Sequence, residues 1–249
     1  MKAPDPVAFT LFGLDIRWYG ILIGLGFVIA ILLCYKRAPK HGIQSDHILD
    51  FAIFLIPAAI IGARAYYVIF SWDNYAGDIG KILDIRSGGL AIHGGIIAGI
   101  IVGVCICKYR KINFLELADL VFPTVALAQS IGRWGNFFNS EAHGGPTDLP
   151  WAIYADGQYV HPTFLYESLW CLALFIFLIW LDRRRSFPGQ IGCLYGMLYS
   201  LERGLVEQLR TDSLMIGPFK QAQVLSLCVF LFCLAAYMIL MKKEKEKRS

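Results

Sequence analysis

The segment that decides the fold reads Ser130-Ile131-Gly132-Arg133-Trp134-Gly135-Asn136-Phe137-Phe138-Asn139-Ser140-Glu141-Ala142-His143-Gly144-Gly145. It closes an otherwise apolar stretch with an arginine, two asparagines and a glutamate. No charged residue lies between Phe122 and Ile131, which places Arg133 at or near membrane depth if that run spans a bilayer. An ionisable side chain there costs about 2.5 to 3.5 kcal/mol on insertion scales unless it faces a partner or a wet cavity. We therefore interpret Arg133 as a functional residue.

The spacing within this segment predicts a polar binding site. Residues three or four positions apart share one face of a helix, which groups Arg133, Asn136 and Ser140. Gly132 and Gly135 have no side chain, so another backbone or a ligand can approach closely. These features together favour a site for an anion or a polar headgroup.

The composition of the whole chain indicates a polytopic membrane protein. Its 249 residues are 57% hydrophobic with a mean hydropathy of +0.54, whereas soluble domains are roughly 45 to 50% apolar. The seven cysteines lie in or at the end of apolar runs without metal-ligand spacing, so we interpret them as small packing residues rather than as disulfides or a metal site. The first apolar run ends in Lys36 and Arg37 instead of a small-residue cleavage site, which argues against a signal peptide.

Apolar runs of about 20 residues predict an all-α protein with seven transmembrane helices. They cover residues 18–35, 48–70, 88–107, 114–138, 162–181, 190–209 and 222–241. Basic residues cluster after the first, third, fifth and seventh runs. By the positive-inside rule the N-terminus is outside and the C-terminus is cytoplasmic. The outer loops are then 71–87, 139–161 and 210–221, and the Arg133 segment faces that outer side.

The chain is expected to form one integral-membrane catalytic domain over residues 1–249. Residues 1–17 mix charged and apolar side chains, which is typical of an arm at the membrane interface. Residues 242–249 are rich in lysine and glutamate and predict a solvated cytoplasmic tail.

Further polar residues stand where a membrane span is predicted. His93 lies between glycine pairs about one turn into the third span; it is either a structural hydrogen-bonding group or a proton carrier, and the glycines favour a function. In the sixth span, spacings of four, four and three residues align Tyr199, Arg203, Glu207 and Arg210 on one stripe. That stripe is either a structural ion pair or the wall of a cavity.

Several chemistries are disfavoured by what the sequence lacks. It contains no aspartate pairs spaced for magnesium, no Gly-x-Ser-Gly element of an intramembrane serine protease and no acidic dyad on facing helices. Metal-dependent transfer of phospho-alcohols is therefore not expected.

The pattern Gly132-Arg133-x-Gly135-Asn136-Phe137-x-Asn139-x-Glu141-x-x-Gly144 resembles the signature of bacterial prolipoprotein diacylglyceryl transferases. The family's other blocks are matched in the same order. They are Arg17-Trp18-Tyr19-Gly20, Gly62-Ala63-Arg64, Gly88-Gly89 with His93-Gly94-Gly95, Tyr166-Glu167, and Tyr199-x3-Arg203-x3-Glu207-x2-Arg210. The resemblance thus extends from the first predicted span to the end of the sixth.

This resemblance implies transfer of the diacylglyceryl group from phosphatidylglycerol to the lipobox cysteine thiol of a preprolipoprotein. The products are a thioether-linked lipid and glycerol phosphate, and the reaction is the first step of lipoprotein maturation. It implies an enzyme of the bacterial inner membrane whose active site faces the periplasm, with no cofactor, no metal and no nucleic-acid partner. The family's essential positions correspond to Tyr19, His93, Arg133, Asn136, Glu141, Gly144, Glu167, Tyr199, Arg203 and Glu207.

The chemistry suggests a role for each group. A thiol must become a thiolate to attack carbon, which makes His93 the candidate base, while Arg133 and Arg203 hold the phosphate that gains charge. The headgroup is expected to be oriented by Tyr19, Asn136 and Asn139. Glu141, Glu167 and Glu207 are expected to hold the arginines. Gly144 and Tyr199 complete the substrate site, and Arg64 and Arg210 belong to its supporting network.

The alternative function is a lipid or small-anion transporter that uses the same arginines as a translocation site. No second half of the sequence mirrors the first, as many transporter repeats do, and the polar groups gather toward one face instead of crossing the membrane. A purely structural membrane scaffold is the third possibility, which the buried charges disfavour.

The predicted topology can be tested at Gly145. A cysteine at this position should react with a membrane-impermeant thiol reagent added from the periplasmic side, because the loop 139–161 is predicted outside. Reaction only from the cytoplasmic side would reverse the orientation and move the Arg133 segment with it.

Overall fold

The computed structural model describes residues 4–85 and 88–248. Residues 1–3, 86, 87 and 249, which belong to the predicted arm, outer loop and tail, lie outside the described residues. The described chain is mostly helical, so the prediction of an all-α polytopic membrane protein is confirmed at this level.

Each of the seven predicted spans contains a long helix. The α-helices are α1 Trp18–Arg37, α2 Asp46–Phe70, α3 Ile79–Leu83, α4 Ile92–Arg110, α5 Phe114–Phe138, α6 Thr163–Asp182, α7 Gln190–Val206 and α8 Gln221–Arg248. Short 3-10 helices cover Ala38–His41 and Trp72–Asn74. Within the described residues, six helices are long and apolar enough to cross a membrane: α1, α2, α4, α5, α6 and α8. The helix α7 has 17 residues and carries the polar stripe.

Three small antiparallel hairpins were not foreseen by the sequence analysis. They pair β1 Val7–Leu11 with β2 Leu14–Arg17, β3 Ile153–Ala155 with β4 Gln158–Val160, and β5 Met215–Ile216 with β6 Phe219–Lys220. The turn between β3 and β4 is Asp156-Gly157 with φ values of 49° and 82°. Two central residues with positive φ suit the twist of a two-residue hairpin, and Asp-Gly is a strong signal for it.

The chain forms two compact units. The larger unit comprises Met1–Leu33 and Ala118–Ser249, and the smaller unit comprises Cys34–Leu117. The helices α1 and α5 each contribute residues to both.

The larger unit is built on α5, α6 and α7. Its core includes Leu174 and Leu178 of α6 and Ile191 of α7, all buried. The start of α7 is fixed by Asp119 of α5, whose buried carboxylate accepts hydrogen bonds from the backbone N–H groups of Gly189 (2.7 Å) and Gly192 (2.8 Å). An anion at a helix N-terminus satisfies N–H groups that have no partner within the helix.

The smaller unit depends on close packing of α2 against α4. A β-carbon on Gly94 of α4 would lie 2.8 Å from the carbonyl carbon of Gly62 in α2, and one on Gly62 would lie 2.5 Å from the β-carbon of Ala98. The glycines therefore let two helical backbones meet.

Replacing Gly94 with alanine should destabilise the protein. The added methyl group meets backbone atoms that cannot move aside easily, and overpacking of this kind costs about 1 to 3 kcal/mol. The measurement is the unfolding midpoint of the full chain in detergent.

Gly24→Ala in α1 is the matched control, because a β-carbon there meets no atom within 4 Å. Alanine is a better helix former than glycine by about 0.5 to 1 kcal/mol, so this variant should be neutral or slightly stabilised. Equal behaviour of the two variants would contradict the tight α2 and α4 packing.

Candidate active site

Two arginines share one buried carboxylate in the larger unit. Oε1 of Glu167 on α6 lies 3.3 Å from Nη2 of Arg133 on α5 and 3.2 Å from Nη1 of Arg203 on α7. The Glu167 side chain is 1% exposed, and those of Arg133 and Arg203 are 19% and 21% exposed. Glu167 therefore fixes both guanidinium groups at one point between the three helices.

Arg133 retains donors for a ligand. Its Nη2 also donates to the Tyr199 hydroxyl on α7 at 3.3 Å. In the described part of the chain, its Nε and Nη1 donate to no protein group, although a guanidinium has five N–H donors in a planar fork. The free part of that fork is suited to bidentate contact with phosphate oxygens.

The predicted stripe on α7 continues the charge network. Nη2 of Arg203 lies 2.7 Å from Oε2 of Glu207, and that oxygen lies 3.9 Å from Nε of Arg210. The structural ion pair that the sequence left as one alternative is therefore present. Arg203 also contacts Glu167 on another helix, so its role exceeds that pair.

Arg210 and Asp212 follow α7 and form a paired contact outside the membrane-spanning helices. Nε and Nη2 of Arg210 donate to the two Asp212 carboxylate oxygens at 2.9 Å and 2.7 Å. Burial is the largest single influence and lowers the pKa of Arg210, but the hydrogen bond to Asp212 and the charges of Asp212, Glu167 and Glu207 together outweigh it, so the net shift is upward.

The same hydrogen bond lowers the pKa of Asp212. Because this pKa is lower in the folded chain than in the unfolded chain, the pair contributes stability above about pH 4. That contribution is lost as the pH falls through the lowered pKa of Asp212.

Glu141 occupies a different position from the one predicted. Its Oε1 accepts hydrogen bonds from Nδ2 of Asn136 (2.9 Å) and of Asn139 (3.3 Å), and within the described residues it pairs with no arginine. The expectation that Glu141 holds an arginine is corrected accordingly. The turn after α5 places Ser140 and Ala142 in the left-handed region with φ values of 53° and 57°. This turn folds the glutamate back onto the two asparagine amides.

Tyr19 of α1 lies against the signature segment. A β-carbon on Gly135 would lie 2.5 Å from Cδ2 and 3.2 Å from Cα of Tyr19. Gly135 therefore makes room for Tyr19, which packs against the segment.

Gly144 acts through its backbone. It forms an isolated antiparallel bridge with Arg210, and its N–H donates to the His161 carbonyl at 2.9 Å. A β-carbon there would lie 2.7 Å from Cβ of His161. The position thus ties the outer loop to the segment that follows α7.

His93 and Arg64 belong to the smaller unit. His93 is the second residue of α4, is half-buried and lies with its ring 6.0 Å from that of Tyr66. Arg64 is buried and donates to backbone carbonyls of residues 81, 82, 88 and 89 at 2.6 to 3.0 Å. Arg64 therefore holds the described backbone carbonyls that precede α4.

Glu202 was missed by the sequence analysis. This α7 residue is 3% exposed, and neither of its carboxylate oxygens has a hydrogen-bond partner within the described chain. It interacts electrostatically with Glu167, Arg133 and Arg203. Its signal in the sequence was a second acid directly before Arg203, one position off the predicted stripe.

Comparison with known proteins gives a consistent result. Residues 6–239 match the family model for prolipoprotein diacylglyceryl transferase. The chain belongs to the prolipoprotein diacylglyceryl transferase family. The family model thus covers both the arginine cluster and the smaller unit.

Curated relatives extend the similarity to nearly the full chain. A phosphatidylglycerol–prolipoprotein diacylglyceryl transferase of Clostridioides difficile is 50% identical over 245 residues, which cover 98% of this chain and 99% of the relative. Family members so named from Finegoldia magna and Clostridium novyi are 51% and 48% identical, covering 91% and 98% of this chain and 92% and 98% of theirs.

Glu202→Met should stabilise the protein. Both oxygens of this buried acid are unpaired, and an unsatisfied buried polar group costs about 1 to 3 kcal/mol. An apolar side chain of similar volume removes that cost, so the unfolding midpoint should rise.

Glu167→Met is the matched comparison on the neighbouring helix and should lower the unfolding midpoint, because two arginines lose their shared carboxylate. If Glu202→Met proved as destabilising as Glu167→Met, Glu202 would have to be a paired member of the network.

Proposed function

We propose that this chain transfers the diacylglyceryl group of phosphatidylglycerol to the lipobox cysteine thiol of prolipoproteins. The transfer forms a thioether and releases glycerol phosphate, and it is the first step of lipoprotein maturation. The whole chain acts as one integral-membrane catalytic domain. The near-complete coverage of the relatives supports this assignment.

The observation that carries the proposal is the shared carboxylate. Arg133 and Arg203 are held by one buried glutamate, and Arg133 keeps N–H donors that no protein group uses. A phosphate diester supplies oxygen acceptors that match the free part of the Arg133 fork. Glu167 is therefore the positioning residue, and the two arginines are the groups that contact the phosphate.

The transfer is a displacement at carbon. The substrate thiol loses its proton to a base. The sulfur then attacks the carbon of the diacylglyceryl group that carries the phosphate. The C–S bond forms while the C–O bond breaks, and the electron pair leaves with the phosphate oxygen. Negative charge on the phosphate grows along this path, where preorganised cations stabilise the transition state most.

The remaining site residues position the headgroup and the arginines. Tyr199 donates to or accepts from the bound lipid beside Arg133, and Tyr19 lies against Gly135. The Glu141 carboxylate holds the side-chain amides of Asn136 and Asn139. These two side chains orient the glycerol headgroup. The supporting contacts come from Glu207, Arg210 and the backbone of Gly144, and Arg64 supports His93 by holding the backbone before α4.

The chain lies in the bacterial inner membrane with seven spans, the N-terminus outside and the C-terminus in the cytoplasm. Basic residues cluster after α1, α4 and α6 and in the last turn of α8, which supports this orientation. The helix α7 is then the sixth span. It contributes charged residues to the site, which faces the periplasm.

A direct assay tests the function. Phosphatidylglycerol and a peptide bearing a lipobox cysteine are supplied to the full chain in detergent, and glycerol phosphate release is followed. We expect release that requires both substrates and the cysteine thiol and that survives a metal chelator. Movement of lipid or anions across vesicles without thioether formation would favour the transporter alternative.

Arg133→Lys should lose transferase activity although the positive charge is kept. A lysine cannot grip two phosphate oxygens at once, and each lost charged hydrogen bond of about 1.5 to 3 kcal/mol lowers the rate roughly tenfold to a hundredfold or more. The measurement is kcat/KM for phosphatidylglycerol. A wild-type rate would mean that only a diffuse positive field is needed.

His93 is proposed as the base that takes the thiol proton. The case for His93 rests on its sequence block and on its being the histidine of the matched family blocks. His93→Gln should then lose turnover while phosphatidylglycerol still binds, and wild-type activity should rise with pH through the histidine range.

The competing role is that the arginine field alone lowers the thiol pKa. A selenocysteine peptide separates the two roles, because selenocysteine ionises without a strong base. It should partly rescue His93→Gln. A variant that binds lipid normally but is not rescued would sink the general-base assignment.

A further inference from the structure

Glu202 is a buried acid beside the arginine cluster, and the proposed transfer reaction gives it no role. The residue is 3% exposed, and within the described chain neither of its carboxylate oxygens has a hydrogen-bond partner. Glu167 and Glu207 differ from it, because each has an oxygen at 3.2 Å or 2.7 Å from Arg203. A carboxylate ion that is buried without a donor is very costly, and such a group takes up a proton instead.

The helices around Glu202 determine which charges it meets. The titratable and charged groups with which it interacts electrostatically are Glu167, Arg133, Arg203 and Cys171. The helix α8 also packs against α7, and its residues 221–241 include no charged side chain. Glu202 therefore faces one acid, two arginines and one buried thiol.

The two arginines are already matched by other acids. Arg133 and Arg203 share the carboxylate of Glu167, and Arg203 also lies 2.7 Å from Glu207. An ionised Glu202 adds a third negative charge beside these two positive ones. A phosphate that binds to Arg133 then meets this extra charge in a low-dielectric interior, where like charges repel strongly. A proton on Glu202 removes that repulsion.

We propose that phosphatidylglycerol binds at the arginine cluster only when Glu202 carries a proton, so that the lipid phosphate and this proton are taken up together. The inference rests on the proposed function, in which Arg133 and Arg203 contact the phosphate. Both Glu202 oxygens are closed to a ligand as well as to solvent. Glu202 therefore acts through its charge on the arginines and is a positioning residue that does not contact the lipid.

Coupling of this kind predicts the sign of a pH dependence. While Glu202 keeps its proton, the dissociation constant of phosphatidylglycerol should not change with pH. Once Glu202 loses that proton as the pH rises, lipid binding has to restore it. The dissociation constant should then increase, by up to about tenfold per pH unit for one coupled proton.

The test measures phosphatidylglycerol binding to the full chain in detergent by tryptophan fluorescence, from about pH 5 to about pH 9, the range in which buried carboxyl groups titrate. The lipid phosphate stays singly charged throughout, and no peptide is present, so the proton transfer proposed for His93 does not enter. In the wild type the dissociation constant should rise with pH. In weak buffer, a pH indicator should report uptake of up to about one proton per bound lipid.

Glu202→Gln separates the charge from the shape of the side chain. Its neutral amide replaces the protonated acid, so binding should be independent of pH, and no proton should be taken up. Glu202→Met is a second neutral variant and should behave in the same way. Glu202→Asp keeps an ionisable group and should keep the pH dependence. A purely structural role of Glu202 would change the unfolding midpoint in these variants but not the slope of binding against pH.

Glu116→Gln is the matched control in the smaller unit. Glu116 is an acid that already has a partner, with Oε2 3.2 Å from Nδ1 of His41, so its loss should leave the wild-type slope unchanged. A wild-type dissociation constant that does not vary with pH, or the same slope in Glu202→Gln as in the wild type, would overturn this inference alone. Absence of phosphatidylglycerol binding at every pH would overturn the proposed function and this inference with it.

Discussion

The larger unit depends on a single buried carboxylate, that of Glu167, which two arginines share. A charge in a low-dielectric interior is tolerated only when it is paired. Glu167 on α6 thus requires Arg133 from α5 and Arg203 from α7, and the three helices are tied at one point. Oγ of Ser130 on α5 donates to the backbone carbonyl of Ser168 on α6 at 2.8 Å, about one turn from Arg133, and fixes the two helices against each other. The result is a frame in which three helices meet at one carboxylate while Arg133 keeps unused N–H donors.

Donor saturation separates the structural arginine from the candidate catalytic ones. Arg64 uses Nε, Nη1 and Nη2 on backbone carbonyls, so little of its fork remains for a ligand. Arg133 uses only Nη2. The sequence analysis assigned Arg133 to the phosphate and Arg64 to the supporting network. The positions of the carbonyl oxygens around Arg64 give a physical reason for such a difference in role.

Helix positions were predictable because a span needs a long apolar run, which is a local property of the sequence. The segment 114–138 was placed at the same residues that α5 occupies. The hairpins were not predicted, because strands of two to five residues are too short to show a clear alternation of apolar and polar residues. Apolar runs of about 20 residues give a much stronger signal. The turn signal at Asp156-Gly157 was available but was treated as part of a loop.

Side-chain partners were the least predictable feature, because they depend on how the chain bends after a helix ends. Helical spacing correctly aligned Arg203 with Glu207, since both lie on one regular element. Glu141 follows the end of α5, where two residues with positive φ reverse the chain, and no helical rule applies there. The carboxylate consequently meets Asn136 and Asn139 rather than an arginine. The partner of an acid within a regular helix can be predicted from sequence spacing. The partner of an acid beyond a helix end depends on the conformation of the backbone turn. The turn at Ser140 and Ala142 therefore directs the Glu141 carboxylate to the two asparagine amides.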